Sequence, residues 1–301
     1  MKPSASLVIG PNMKVIPRVV EHSGFTLVEL VIAISLMGVV SVLVTTMVGN
    51  QMLGYVDTAR RAELVAKADM ALQVMARDLR NAVPHSIRVS GGNALEWVPV
   101  QDWGRYRKRP DSSLADPVAA QVATLDFSTL DTEFDVLHSG TMPALPANAR
   151  VVVGNTSAMG SAGINLYAGS GSGTLVPLGS HVITPSGVIP AISGNQITLA
   201  PGFQFALGSA AGRFYLVNNA ASYLCNGTSI TRYGGYPIQS SQPTSAPAGS
   251  SAALLIDGVT LCQFGYTTLD ATYGMLTISL QVTDSGESVT LVRSITIENR
   301  S

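Results

Sequence analysis

Charge is what this chain has least of. Charged residues make up 12% of its 301 positions, about half the share of an ordinary soluble domain. Lysine is scarce and arginine carries most of the positive charge. The formal net charge is −1, so no global field draws the chain to nucleic acid or an anionic surface. Aromatic residues are only 6%. With Gly, Ser, Thr and Ala abundant, the composition suits a loop-rich β domain better than a helical enzyme. There are two cysteines, Cys225 and Cys262. With no Cys or His neighbours at ligand spacing they do not make a zinc site. In a reducing compartment they are buried thiols. In an oxidising one they form one disulfide, worth roughly 3–4 kcal/mol by chain entropy.

Catalytic patterns are missing as well. The sequence has no G-x-S-x-G, no Walker loop and no H-E-x-x-H. The "GSGSG" at Gly169–Gly173 lacks the lysine and following helix of a phosphate cradle and reads as a turn. His85, His138 and His181 are widely spaced. Asp126, Asp131, Glu133 and Asp135 form an acidic cluster whose spacing does not fit an EF-hand loop. It reads as a solvated strand edge. The expectation is a protein that is not an enzyme and needs no cofactor or metal. The one basic run, "WGRYRKRPD" at Trp103–Asp111, sets Arg105, Arg107, Lys108 and Arg109 around Tyr106. That mixture holds single-stranded nucleic acid in some proteins, but an exposed loop or a patch facing a neighbouring subunit is the plainer reading.

What the chain does have is one long apolar run. From Phe25 to Val48 the only formal charge is Glu29, and at about 1.5 Å per residue the run spans a bilayer as a helix. The residues before it carry Lys2, Lys14 and Arg18 against Glu21. The positive-inside rule therefore keeps the N-terminus cytoplasmic and exports the chain beyond Val48. The run is too long for a secretory signal peptide and lacks a small-x-small ending. A carboxylate five residues into such a segment is costly unless something pairs with it.

Gly24-Phe25-Thr26-Leu27-Val28-Glu29 resembles the signal of type IV prepilins and type II secretion pseudopilins. The resemblance implies that prepilin peptidase cuts between Gly24 and Phe25, removing a leader of residues 1–24, and that Phe25 is then N-methylated. The mature chain would keep 277 of the 301 residues, with a formal charge of −3 once Lys2, Lys14, Arg18 and Glu21 are gone. It further implies that Glu29 pairs with a freed Phe25 amine during filament assembly. That amine would be a neighbouring subunit's or, since the two positions share a helix face, its own. In low dielectric either charge left alone is expensive. The implied partners are prepilin peptidase, other major and minor pilins, an inner-membrane assembly platform and the membrane itself; nucleic acid is not among them. The implied location is the inner membrane, with the head in the periplasm, and then a pilus or pseudopilus, where Cys225 and Cys262 would be oxidised.

Residues 25–83 read as one helix, stopped by Pro84. Val65, Ala68, Leu72, Met75, Leu79 and Ala82 recur at heptad spacing and give it an amphipathic second half. Arg60, Glu63, Lys67, Arg77, Asp78 and Arg80 lie on the other face. Residues 84–301 switch to period two and read as a β-rich head. The expected strands are Ser86–Ser90, Ala94–Pro99, Gln121–Phe127, Phe134–Leu137, Ala149–Val153, Gln196–Ala200, Arg213–Asn218, Ser229–Tyr233 and part of Ser251–Thr260. A C-terminal hairpin turns at "DSGE". "QSSQPTSAPAGS" at Gln239–Ser250 is low-complexity and reads as a mobile loop. The fold class expected is α+β, a long N-terminal helix packed on a mostly antiparallel β head, as in pilins. "DLRNAVPHSIRV", "RFYLVNNAASYLC" and "LTISLQVTDSGESVTLVRSITIEN" resemble minor pilins of the mannose-sensitive haemagglutinin pilus, most of all its large O-type. J-type pseudopilins of type II secretion share that plan. A head this large also leaves room for a tip adhesin or a DNA receptor.

Overall fold

The computed structural model describes residues 24–110, 112–113, 115, 124–137, 145–156, 165–168 and 181–300, apart from the side chains of 49–51 and 53. Residues 1–23 of the expected 1–24 leader, His138 and the "GSGSG" segment lie outside the described residues. Two compact units divide the chain, one ending at Val56 and one running from Asp57 to Ser301. The architecture is α+β: an N-terminal apolar helix followed by a mostly antiparallel β domain.

Helix α1 runs from Leu27 to Arg80, with Arg77 and Arg80 in its last turn, where they complement the helix dipole. In the first unit, every described residue from Gly24 to Val48 is exposed. In the second, Leu64, Ala68, Ala71, Leu72, Met75, Ala76 and Leu79 are buried and join the largest core cluster. Val65, expected on the core face, is 39% exposed and Leu64 takes its place. A straight helix has 3.6 residues per turn, so a strict heptad stripe drifts by about 20° per repeat. The buried stripe follows the helix and not the heptad.

That stripe packs against two sheets. One has the order β1-β2-β9-β10-β11, from Arg88–Ser90, Ala94–Trp97, Ala220–Cys225, Ser229–Tyr236 and Ser251–Asp257. The other is β12-β13-β14, from Val259–Thr268, Tyr273–Asp284 and Glu287–Glu298. The β13–β14 hairpin turns through Ser285 and Gly286, at φ 48° and 89°. A two-residue turn of this hand needs positive φ at both positions, which Gly adopts freely. Its inward residues Leu276, Ile278, Leu280, Val282, Val289, Ile295 and Ile297 are buried with the helix stripe. The disulfide Cys225–Cys262 fastens β9 to β12 and so ties the two sheets.

β2 and β9 pair directly, Trp97 opposite Ala221 and Ala94 opposite Leu224, although residues 98–219 separate them. This insertion builds two further three-stranded sheets. β3-β8-β5 comes from Asp102–Arg105, Arg213–Val217 and Arg150–Val153. β4-β7-β6 comes from Asp131–Asp135, Gln196–Phe203 and Ile189–Ser193. Its own core holds Phe134, Val151, Phe203, Phe205 and Phe214. A third cluster joins Val98, Val152, Tyr167 and Val182 of the insertion to Val83, Tyr236 and Ile238.

Two expectations about the head fail. Of the strand expected over Gln121–Phe127, the described part, 124–127, is not a strand. Asp126 turns the chain instead, its carboxylate accepting bonds from the Ser128 amide and hydroxyl and the Thr129 hydroxyl. Short-range bonding of this kind competes with the sheet ladder. Gln239–Ser250, expected to be mobile, is fastened at its start. Arg88 donates to the carbonyls of Gln239 and Ser240 at 2.9 and 2.7 Å, and Gln242 donates to that of Ala94 at 3.0 Å.

Candidate functional site

The candidate site is the start of α1. Gly24, Phe25 and Thr26 precede the helix in exposed, non-helical chain. A peptidase needs backbone that is accessible and outside a helix, and the Gly24–Phe25 bond is both. Around Gly24 nothing lies within 4 Å of where a Cβ would stand. The fold itself therefore leaves room for a side chain there. Thr26 is the N-cap: its hydroxyl accepts from the Glu29 amide at 3.3 Å, and its carbonyl accepts from the Leu30 amide at 3.1 Å. The T-x-x-E spacing at Thr26–Glu29 is that of a capping box. That spacing is visible in the sequence and gives Thr26 a role of its own beside the processing signal. Glu29 sits in the first turn, where the helix dipole favours an anion.

From Leu27 to Val48 the helix is long and apolar enough to cross a membrane. Its four hydroxyls all bond within the helix. Ser35 donates to the Val31 carbonyl at 2.8 Å, Ser41 to Met37 at 2.7 Å, Thr45 to Ser41 at 2.7 Å and Thr46 to Val42 at 3.2 Å. Hydrocarbon offers no partner for a polar group, so internal satisfaction suits the segment to lipid. Glu29 is the exception. Among the described residues no side chain pairs with its carboxylate. The segment has the length and apolarity of a membrane anchor, with one polar demand left open.

The other sequence candidates are drawn into the fold. The basic run stays together beside the 209–213 turn, with most of its cations engaged. Arg105 donates to the Ala211 carbonyl at 3.2 Å, Lys108 to the Ala210 carbonyl at 2.6 Å, and Arg107 pairs with Asp135 at 3.3 Å. These side chains hold the 209–213 turn and β4. Within the acidic cluster, hydrogen bonds from Thr129 and Ser128 hold the Asp126 carboxyl down at about 2. Burial pushes the Asp131 carboxyl up. No group of three or more His, Cys, Asp or Glu side chains among the described residues could hold a metal ion. His85 is buried, its amide bonded to the Asn299 side chain at 3.0 Å, and burial lowers its pKa. His181 is lowered by burial and then by the charge of Arg150.

One ionic feature was missed in reading the sequence. Arg88 and Glu96 face each other across β1 and β2 and form a fully buried ion pair. Tyr236 donates to Glu96 at 3.0 Å, and the Arg88 guanidinium lies 3.7 Å from the centre of the Tyr167 ring. A local signal for it exists. The turn at Gly91-Gly92-Asn93 sets the register that brings the two charges opposite.

Comparison with known proteins adds one match. Residues 21–45 fit the family model described as the prokaryotic N-terminal methylation motif. No curated protein and no solved structure matches the chain significantly. The motif implies processing by prepilin peptidase and assembly with other pilins. The methylation motif and the exposed apolar helix behind it support placing the chain with type IV pilin-like and pseudopilin proteins.

Proposed function

We propose that the chain is a minor pilin of a type IV pilus of the mannose-sensitive haemagglutinin kind. Prepilin peptidase would cut between Gly24 and Phe25, and Phe25 would be N-methylated. The chain would wait in the inner membrane as a single-pass protein with residues 84–301 in the periplasm. It would then enter or initiate a filament by exchanging lipid for neighbouring helices along Phe25–Val48. The observation that carries this reading is the methylation motif at the head of an apolar span that is exposed throughout and keeps one open polar group, Glu29.

The chemistry follows from that open group. Cleavage turns the Phe25 nitrogen from an amide into an ammonium. A carboxylate and an ammonium buried together are far less costly than either alone. Assembly that seats one subunit's Phe25 amine on a neighbour's Glu29 selects a single axial register.

The test is Glu29→Ala in a piliated host. Cleavage, read as an intact mass lacking residues 1–24 and heavier by one methyl group, should continue. Incorporation into sheared filaments should fall about tenfold or more. Normal incorporation would sink the assembly role, and a mass showing cleavage after Val48 would sink the processing role. Recovery of the wild-type chain with secretion machinery, and never with pilus shafts, would transfer the same mechanism to a J-type pseudopilin.

A further inference from the structure

We propose that the cavity where the insertion meets the core sheets binds a carboxylate-bearing saccharide. The cavity encloses about 750 Å³, within the range that small-molecule sites occupy. Its walls come from the approach to β5, the turn entering β6, the β8–β9 connection and the segment leaving β10. Both the insertion and the core sheets therefore contribute to it.

The lining has a definite chemistry. Asn148, Asn218, Asn219 and Gln239 bring four amide residues to the lining, all exposed or half-exposed, and Arg150 brings a cation. Val188, Pro190 and Ile238 supply apolar surface. Among the described residues that line the cavity, none is acidic. Arg150 is 6% exposed, and its Nε donates to the Thr184 carbonyl at 2.5 Å. Burial lowers its pKa to about 10, which leaves it cationic at neutral pH. A held cation in a poorly hydrated wall attracts a carboxylate more strongly than an exposed one does, and guanidinium is shaped to receive carboxylate oxygens.

The amides decide between kinds of anion. Each carries donors and an acceptor. Sugar hydroxyls both donate and accept, so they can match that array. Phosphate or sulfate only accepts, so it would use the amide donors and leave the amide oxygens to water, matching half of the array. The apolar wall suits the C–H face of a sugar ring. This reading goes beyond assembly and does not depend on it, because a chain that fails to enter filaments keeps the cavity.

The test titrates the full-length chain in detergent with digalacturonate and with its neutral counterpart digalactose, read by calorimetry. Digalacturonate should bind, and digalactose should bind about tenfold more weakly or worse. Ser186→Trp places a large ring at the exposed rim of the cavity. It should weaken digalacturonate binding about tenfold with an unchanged melting temperature. Arg150→Gln should remove the preference for the acid. Arg150 is buried, so if this variant fails to fold, Ser186→Trp carries the test. Equal binding of both disaccharides, no binding of digalacturonate, unchanged binding by Ser186→Trp, or binding of inorganic phosphate in place of the acid sugar would each overturn the proposal.

Discussion

Along α1, the residues from Leu27 to Val48 touch solvent on every side, while seven residues between Leu64 and Leu79 vanish into the core. The polar side chains divide in the same way. In the first half, Ser35, Ser41, Thr45 and Thr46 bond back to carbonyls of their own helix. In the second half they reach out to strands. Lys67 pairs with Asp257 on β11, Asp69 with Arg293 on β14, and Asp78 with Arg232 on β10. One helix thus holds two solutions to one problem. Where the chain supplies its own apolar surface, a stripe is buried and polar groups clasp the sheets around it. Where it supplies none, the apolar surface goes all the way round and polar groups are closed off internally, as lipid or a bundle of like helices requires.

The sharpest way to break this comparison is to truncate one leucine in each half. Leu79 is fully buried between the helix and the two sheets. Leu79→Ala should cost about 3 kcal/mol, the middle of the range for buried leucines. The measurement is the urea midpoint in detergent, followed by fluorescence of the buried Trp97. Leu36 is exposed, and Leu36→Ala should leave that midpoint in place. Equal losses from both variants would mean that the first half shares in the stability of the second.

A smaller effect is expected at Asp78. Its carboxylate accepts from Arg232 at 2.7 Å and from the Tyr223 hydroxyl at 2.9 Å. Arg232 also lies over Trp97, which stacks on Tyr223 at 4.9 Å. Asp78→Ala leaves a half-buried guanidinium and a phenol without their acceptor, at roughly 1–3 kcal/mol. Asp78→Asn, which keeps an acceptor oxygen, should recover part of the loss in the same urea titration. If alanine and asparagine behave alike, the charge and not the hydrogen bonding fastens this end of the helix.

How much of this was legible depends on how each element is buried. The β13–β14 hairpin alternates because one face packs on the helix and the other meets solvent, so period two was plain. β9, Ala220–Cys225, is buried along almost its whole length and shows no alternation, and so it escaped notice although it pairs with both β2 and β10. β6 carries Pro190, which argues against a strand except at an edge, where this one lies. β3 is four residues long and runs into the basic run, and the charges of Asp102 and Arg105 hid it. The methylation motif was readable because it is local, carried by six residues in a fixed order. The cavity was not, since it depends on bringing residues 145–150, 186–190, 218–219 and 237–239 together.

The last difference between the halves is the value of their outward clasps. Arg293 and Asp69 are 3.3 Å apart, with side chains 35% and 49% exposed. Water screens such a pair, and ordering two flexible side chains offsets much of the attraction. Arg293→Gln should therefore shift the urea midpoint by under about 1 kcal/mol. At about 1 M salt, where screening acts over about 3 Å, even that difference should fade, while the loss from Leu79→Ala persists. A salt-resistant loss at Arg293 would show that its aliphatic stem, and not its charge, holds the helix to the sheet.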